Sequence, residues 1–286
     1  MELKQIVMKK QPDNSKPVVI VNGSKPVVQS NEIKKRMVLS AITEASSDTP
    51  EKILIYGPEG IGKSTWAANF EKPIFISAED GLKGVKPAPM MFPEAKSWQD
   101  ILDAVDELIT QPHEYKTLVI DTIDWVEAMA QQFVIRKHGK ESIEDWGYKG
   151  GYTKASEEIF KLVNLLNVLR AKKKIDIVLL AHSAIVTFKN PDGQNYDKFN
   201  MKLYKDSIAK LKEWSDVIFF ANHEVLVDSK DPQKMDQKGK AYSGDIIIHA
   251  KHTAIFDAKN RYGIDKPIKL DPKKPETLYN VIKEAR

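Results

Sequence analysis

From Glu51 onward, short apolar runs alternate with longer stretches of helical spacing. The runs at 53–56, 73–77, 117–121, 176–181 and 216–221 read as strands. Each is rich in Val, Ile, Leu or Phe with little polar alternation, as expected of strands covered on both faces. Between them, apolar residues recur at three- and four-residue intervals over 64–70, 98–110, 125–138 and 154–171, which predicts four helices. The last is clearest, because Ile159, Leu162, Val163, Leu165, Leu166 and Leu169 form one wide apolar face between charged positions. Strand–helix alternation predicts an α/β fold with a mainly parallel central sheet flanked by helices. Runs at 246–250 and 253–257 predict a β-rich C-terminal part, and polar turns are expected at Pro191-Asp192-Gly193 and Asp231-Pro232.

The first stretch of the chain has a different texture. Pro17 to Val21 and Pro26 to Val28 flank Asn22-Gly23-Ser24, which suggests a hairpin or two edge strands. Residues 32–44 carry helical spacing, and Ser46 to Pro50 reads as a linker. The expected division is therefore an N-terminal extension at 1–48, suited to be an oligomerisation arm, and a core at 49–286.

Composition narrows the function classes. The 286 residues include no cysteine, which excludes disulfides, zinc–thiolate sites and thiol catalysis. No apolar run is long enough to cross a bilayer and the N-terminus lacks an apolar signal segment, so no membrane partner and a cytoplasmic location are expected. Residues 1–50 carry eight Lys/Arg against five Asp/Glu, residues 249–286 nine against five, and the remainder 27 against 30. Mildly basic ends fit a nucleic-acid footprint and fit a solvated lysine-rich surface equally well.

One segment fixes the chemistry. Gly57-Pro58-Glu59-Gly60-Ile61-Gly62-Lys63-Ser64, with Thr65 behind it, reads G-x-x-x-x-G-K-S between an apolar strand and the start of a helix. That pattern is a phosphate-binding loop, whose glycines let backbone N–H groups turn inward around an anion. Lys63 would reach the β- and γ-phosphates and Ser64 would ligate Mg²⁺, so ATP and Mg²⁺ are the expected cofactors. The run Thr117-Leu118-Val119-Ile120-Asp121 ends in a carboxylate at the sheet edge where open α/β folds bind ligands, making Asp121 the second metal-shell candidate. Many related ATPases place a Glu directly after that Asp. Here Thr122 stands there, with Asp124 further on, so the acid that handles the attacking water comes from elsewhere. Glu79, just past the second strand, would emerge at the same edge.

In this order — P-loop, Ser77-Ala78-Glu79-Asp80, Leu118 to Asp121, then Val178 to Ser183 — the chain resembles the RecA-like ATPase core, over about residues 50–270. Its nearest likeness is to compact bacteriophage nucleotide-binding proteins, some of which act in recombination and single-strand annealing. The resemblance implies that Glu79 polarises the attacking water and that His182, at the end of the fourth strand, senses the γ-phosphate. RecA itself has an amide side chain at that place. Lys259 and Arg261 resemble the Lys-x-Arg pair with which RecA-type filaments and ring helicases reach a neighbour's γ-phosphate, charge stabilisation supplied in trans. Such a site implies head-to-tail self-association into a ring or filament.

RecA-like proteins hold single-stranded DNA on two loops. The equivalent slots contain Trp146, Tyr148, Lys149 and Tyr152, and then Lys189, Lys198 and Lys202. Aromatics interleaved with lysines suit base stacking and phosphate attraction, and they suit anchoring of the loops to the core as well. The expected function is an ATP-dependent recombination protein that binds single-stranded DNA and hydrolyses ATP at subunit interfaces, in a host cytoplasm if phage-encoded. A single-strand-binding protein is a further expected partner. A ring-forming motor and a nucleotide-gated loader with weak ATPase share the same motifs.

Overall fold

The computed structural model describes residues 49–228 and 240–285, together with Leu39 and Ile42. The expected arm at 1–48, apart from those two residues, and the turn at Asp231-Pro232 lie outside the described residues.

The elements, in chain order, begin with β1 (Lys52–Gly57), α1 (Lys63–Ala67), β2 (Pro73–Ser77) and β3 (Met90–Met91). They continue with α2 (Trp98–Thr110), β4 (Thr117–Asp121), α3 (Ile123–Lys137) and α4 (Gly150–Lys173). Then come β5 (Asp176–Phe188), β6 (Tyr196–Met201), α5 (Lys205–Trp214), β7 (Val217–Asp228), β8 (Lys240–His249), β9 (Ile268–Leu270) and α6 (Thr277–Ala285). Among the described residues the sheet order is β3-β2-β4-β5-β1-β7-β8-β9. The first six of these run parallel, β8 and β9 add antiparallel, and β6 pairs antiparallel with β5 alone. This is the mainly parallel, helix-flanked α/β core that the strand–helix alternation implies.

Successive residues of a strand point to opposite faces, and both faces are covered. Leu54 and Tyr56, Leu118 and Ile120, and Ile177 and Leu179 pack beneath α2, α3, α4 and α5. Ile53 and Ile55, Val119, Val178 and Leu180, and Val217 and Phe219 meet Trp66, Phe70, Leu278 and Ile282 from the α1 and α6 side. Each such side chain contributes about 1.5–3 kcal/mol relative to exposure, so the strands that present the P-loop edge are firmly held. At the start of α2 the Ser97 hydroxyl accepts from the Asp100 N–H at 3.3 Å and Asp100 accepts from the Ser97 N–H at 2.9 Å, a reciprocal cap that fixes where the helix begins.

Several expectations need correction. Residues 253–257 form no strand, only isolated bridges of Phe256 to Phe199 and to Thr253. The second loop slot is largely ordered: β5 runs on past Ala181 to Phe188 and returns as β6, with Pro191-Asp192-Gly193 near the tip. Gly150, Gly151 and Tyr152 of the first slot belong to α4 rather than to a loop. Helices α5 and α6 were not expected. Their apolar residues, Ile208, Leu211 and Trp214 in one and Leu278 and Ile282 in the other, are buried at helical spacing. Among the described residues no helix is long and apolar enough to cross a membrane.

Candidate active site

Register brings the predicted chemistry to one edge. Gly57 pairs with His182, Ser77 with Asp121, and Asp121 with Leu180, so β1, β2, β4 and β5 end side by side. Gly57 sits where a Cβ would come within 2.5 Å of the Ala221 carbonyl on β7, so only glycine lets the two strands close there. Gly62 enters α1 at φ 110°, a conformation other residues resist, and this turns the chain from loop to helix.

Lys63 is buried, and its Nζ donates to the carbonyls of Gly57 at 3.1 Å and Pro58 at 2.9 Å. Burial pushes its pKa down, against the attraction of Asp121, Asp124, Glu59 and Glu79. The Ser64 hydroxyl donates to Asp121 Oδ2 at 2.6 Å, which joins the two metal candidates directly. Burial raises the Asp121 carboxyl above its ordinary range, only partly offset by Ser64 and Lys63. Two adjacent hard oxygen donors fit Mg²⁺, an ion that keeps several waters and takes one or two carboxylates plus substrate phosphates.

Glu79 follows β2 in a turn that is itself pinned. The Ser77 hydroxyl donates to the Glu79 carbonyl at 2.6 Å, and the Ala78 N–H donates to the Asp121 carbonyl at 2.8 Å. Partial burial raises the Glu79 carboxyl, and Asp121 and Asp124 add to this while His182 and Lys63 oppose it. A carboxyl poised nearer neutrality is a better proton acceptor for water. His182 Nε2 stands 3.9 Å from Glu79 Oε1. On its other side the ring meets Asp124, Nδ1 to Oδ2 at 2.9 Å, and the His182 backbone N–H donates to Asp124 Oδ1 at 2.9 Å. Asp124 was visible in the sequence only as an acid three places beyond Asp121. Nothing local in the chain signalled that it meets a residue 58 positions away.

Lys63, Ser64, Asp121, Glu79 and His182 therefore come together. Lys259 and Arg261 do not join them within the chain. The Lys259 backbone pairs with Ile218 near the start of β7, and its Nζ donates to the carbonyls of Ser215 at 2.7 Å and Lys212 at 3.1 Å at the end of α5. Arg261 lies 3.2 Å from Asp216 and its side chain is 61% exposed.

The DNA-slot residues divide in two. Trp146 packs edge-on to His138, and Tyr152 stacks on Tyr204 at 5.0 Å. Lys198 is paired with buried Asp257 at 3.2 Å. By contrast Tyr148 is fully exposed, and it and Lys149 adopt left-handed backbone, φ 54° and 60°. Lys189 is exposed, and Lys202 stands 3.9 Å from Glu59 of the P-loop.

Parts of the chain are similar to known proteins. The SPbeta prophage-derived uncharacterised protein YorG of Bacillus subtilis (strain 168) is 25% identical over 178 residues, covering 59% of this chain and 49% of that protein. The match thus spans about half the relative's length. The crystal structure of the RadB recombinase aligns with 70% of this chain and 87% of its own, at a TM-score of 0.38 and 13% identity. A family model described as an AAA domain matches residues 49–262, and the chain belongs to that family.

Proposed function

We propose that the chain is an oligomeric ATPase that binds single-stranded DNA, promotes annealing or strand exchange, and hydrolyses ATP between subunits. The observation that carries this reading is the continuity of β5. It is buried up to His182, beside the P-loop, and then emerges as Ile185, Val186 and Phe188, which are exposed and lead into Lys189. One strand thus joins a γ-phosphate sensor to an apolar, aromatic and cationic hairpin of the kind that holds unstacked bases. The Tyr152–Tyr204 stack ties the hairpin's exit to the segment bearing Tyr148 and Lys149, which supports a shared surface.

In this reading the P-loop backbone and Lys63 hold the β- and γ-phosphates of ATP. Ser64 and Asp121 would hold Mg²⁺, which would neutralise charge on the phosphate oxygens. Glu79 accepts a proton from the attacking water, and His182 reports the γ-phosphate to the hairpin. Arg261, and Lys259 if its helix contacts yield, serve the site of the next subunit. Residues 1–48 serve as the arm that docks on that neighbour, and a single-strand-binding protein is a fitting partner. The prophage-derived relative supports a phage setting.

Light scattering of the full chain, with and without a non-hydrolysable ATP analogue and a fluorescent oligonucleotide, tests the proposal. The expected result is a nucleotide-dependent rise in mass together with oligonucleotide binding that weakens as salt increases. A monomer that binds nucleotide but no oligonucleotide at low salt would refute it.

A further inference from the structure

We propose that Asp124 is a positioning residue for hydrolysis: it anchors His182 at two points so that Nε2 is aimed into the space beside the Glu79 carboxylate. The inference rests on the ATPase reading of this site and adds a member to it.

A single contact would leave the imidazole free to rotate. Asp124 makes two, to the backbone N–H and to Nδ1 of the same residue, both at 2.9 Å. The side chains of Asp124 and His182 are only 6% and 9% exposed, so water does not compete well for either bond. With Nδ1 occupied, Nε2 is the ring atom left to act, and it faces Glu79 Oε1 at 3.9 Å. That separation is too long for a direct hydrogen bond, and it suits one oxygen atom held by both groups. A water to be polarised by Glu79 meets that description, since it can donate to the carboxylate while it bonds to Nε2. Asp124 lies in the first turn of α3, directly after the Asp121 strand, so the element that follows the metal candidate also orients the sensor. Asparagine would not preserve this arrangement, because its amide arm would donate to Nδ1 and drive the ring proton to Nε2.

The test uses the full chain with D124N, H182A, E79Q and the D124N/H182A pair. Phosphate release gives kcat and KM for ATP, and ¹⁵N signals of the imidazole report which ring nitrogen carries the bonded proton. D124N should lower kcat by about 10–100-fold with KM for ATP nearly unchanged, by analogy with the loss of the outer partner of a metal-bound histidine. In the H182A background the same substitution should add less than about twofold, since Asp124 has no ring left to aim. A merely structural role would harm both backgrounds alike, and that result would overturn the proposal. Normal kcat in D124N beside a crippled E79Q would also overturn it while leaving the ATPase site intact. If E79Q itself retains turnover, the underlying site reading fails instead. Should D124N not fold, the wild-type spectrum still decides, because an unprotonated Nδ1 in His182 contradicts the assignment.

Discussion

The two ends of β1 carry charge clusters of different character. At its C-terminal end Asp121, Asp124 and Glu79 face Lys63 and His182. At its N-terminal end, about 17 Å away at a strand's rise per residue, Lys52, Lys259 and Arg261 gather around Asp216. The upper cluster has an excess of carboxylate and its pKa values are driven apart: Glu79 and Asp121 up, Asp124 down. In the lower cluster Lys52, Lys259 and Arg261 stand around Asp216, with Glu213 nearby. One of them, Lys259, is absorbed by the terminal carbonyls of α5, where a positive charge also meets the negative end of the helix dipole. Another, Arg261, pairs with Asp216 yet stays largely exposed. The difference teaches that the acids of one end are gathered in a buried site while the other end leaves an arginine exposed. An anion-rich site suits a metal ion, and an exposed guanidinium suits phosphate brought by another molecule. Head-to-tail stacking would match the two, in line with the proposed site between subunits.

Breaking the upper cluster has the largest expected effect. Lys63→Ala removes the cation that supports the loop carbonyls and, in the proposed reading, meets the phosphates. Hydrolysis should fall by at least about 10²–10³-fold, by analogy with the loss of one charge-stabilising donor. Circular dichroism should show the fold retained. Turnover near wild type in phosphate-release assays would remove the site from Gly57–Ser64.

Next comes Arg261→Ala. An exposed ion pair is worth about 0–1 kcal/mol, so the melting temperature should scarcely move. If Arg261 reaches a neighbour, turnover should drop by about 10²-fold or more under conditions that favour assembly. Mixing this variant with Lys63→Ala subunits should restore part of the activity, since each supplies the half the other lacks. No restoration, with unchanged turnover in Arg261→Ala alone, would assign the lower cluster to structure only.

Lys259→Met separates the two members of the pair. It keeps an apolar stem of similar length but leaves the carbonyls at the end of α5 without their donor. Stability should fall by about 1–2 kcal/mol in urea unfolding, with turnover per folded molecule little changed. A loss of turnover without loss of stability would make Lys259 a trans-acting cation as well.

How much of this was readable in the chain depends on how local each signal is. The P-loop, Asp121 and the flanking strands were legible because contiguous residues encode them. Asp176 to Ala181 was visible as strand, whereas the extension to Phe188 was not, because His182, Ser183 and Thr187 interrupt the apolar run and only pairing with β6 stabilises it. Helix α5 was hidden by Lys205, Lys210 and Lys212 among its apolar positions, which blur the helical spacing. The placement of Lys259 and the Asp124–His182 contact follow from tertiary packing between distant segments, and no spacing rule reports such a meeting.

The smallest expected effect is the pH dependence of stability, and it too distinguishes the ends. The hydrogen bond to Asp124 raises the His182 pKa, with the charges of Asp124 and Glu79 adding to it and burial and Lys63 opposing. Because the folded value is the higher one, this contribution is complete below the ordinary imidazole pKa and is lost as pH rises through the raised value. Burial pushes Asp124 up, but the two bonds from His182 outweigh it and hold the carboxyl below its ordinary range. Its contribution is present above the unfolded aspartate pKa and is lost as pH falls through the depressed one. Glu79 and Asp121 act with the opposite sign. Their raised values mean that ionisation costs the folded state more than the unfolded one, so they erode stability as pH climbs from the acid side. Melting temperature against pH should therefore fall above neutrality in the wild type. The alkaline fall should flatten in His182→Gln, which keeps a polar side chain but cannot titrate there. An identical profile in that variant would mean that the Asp124–His182 pair is not charged in the free protein, and that the upper cluster holds one cation, Lys63, rather than two.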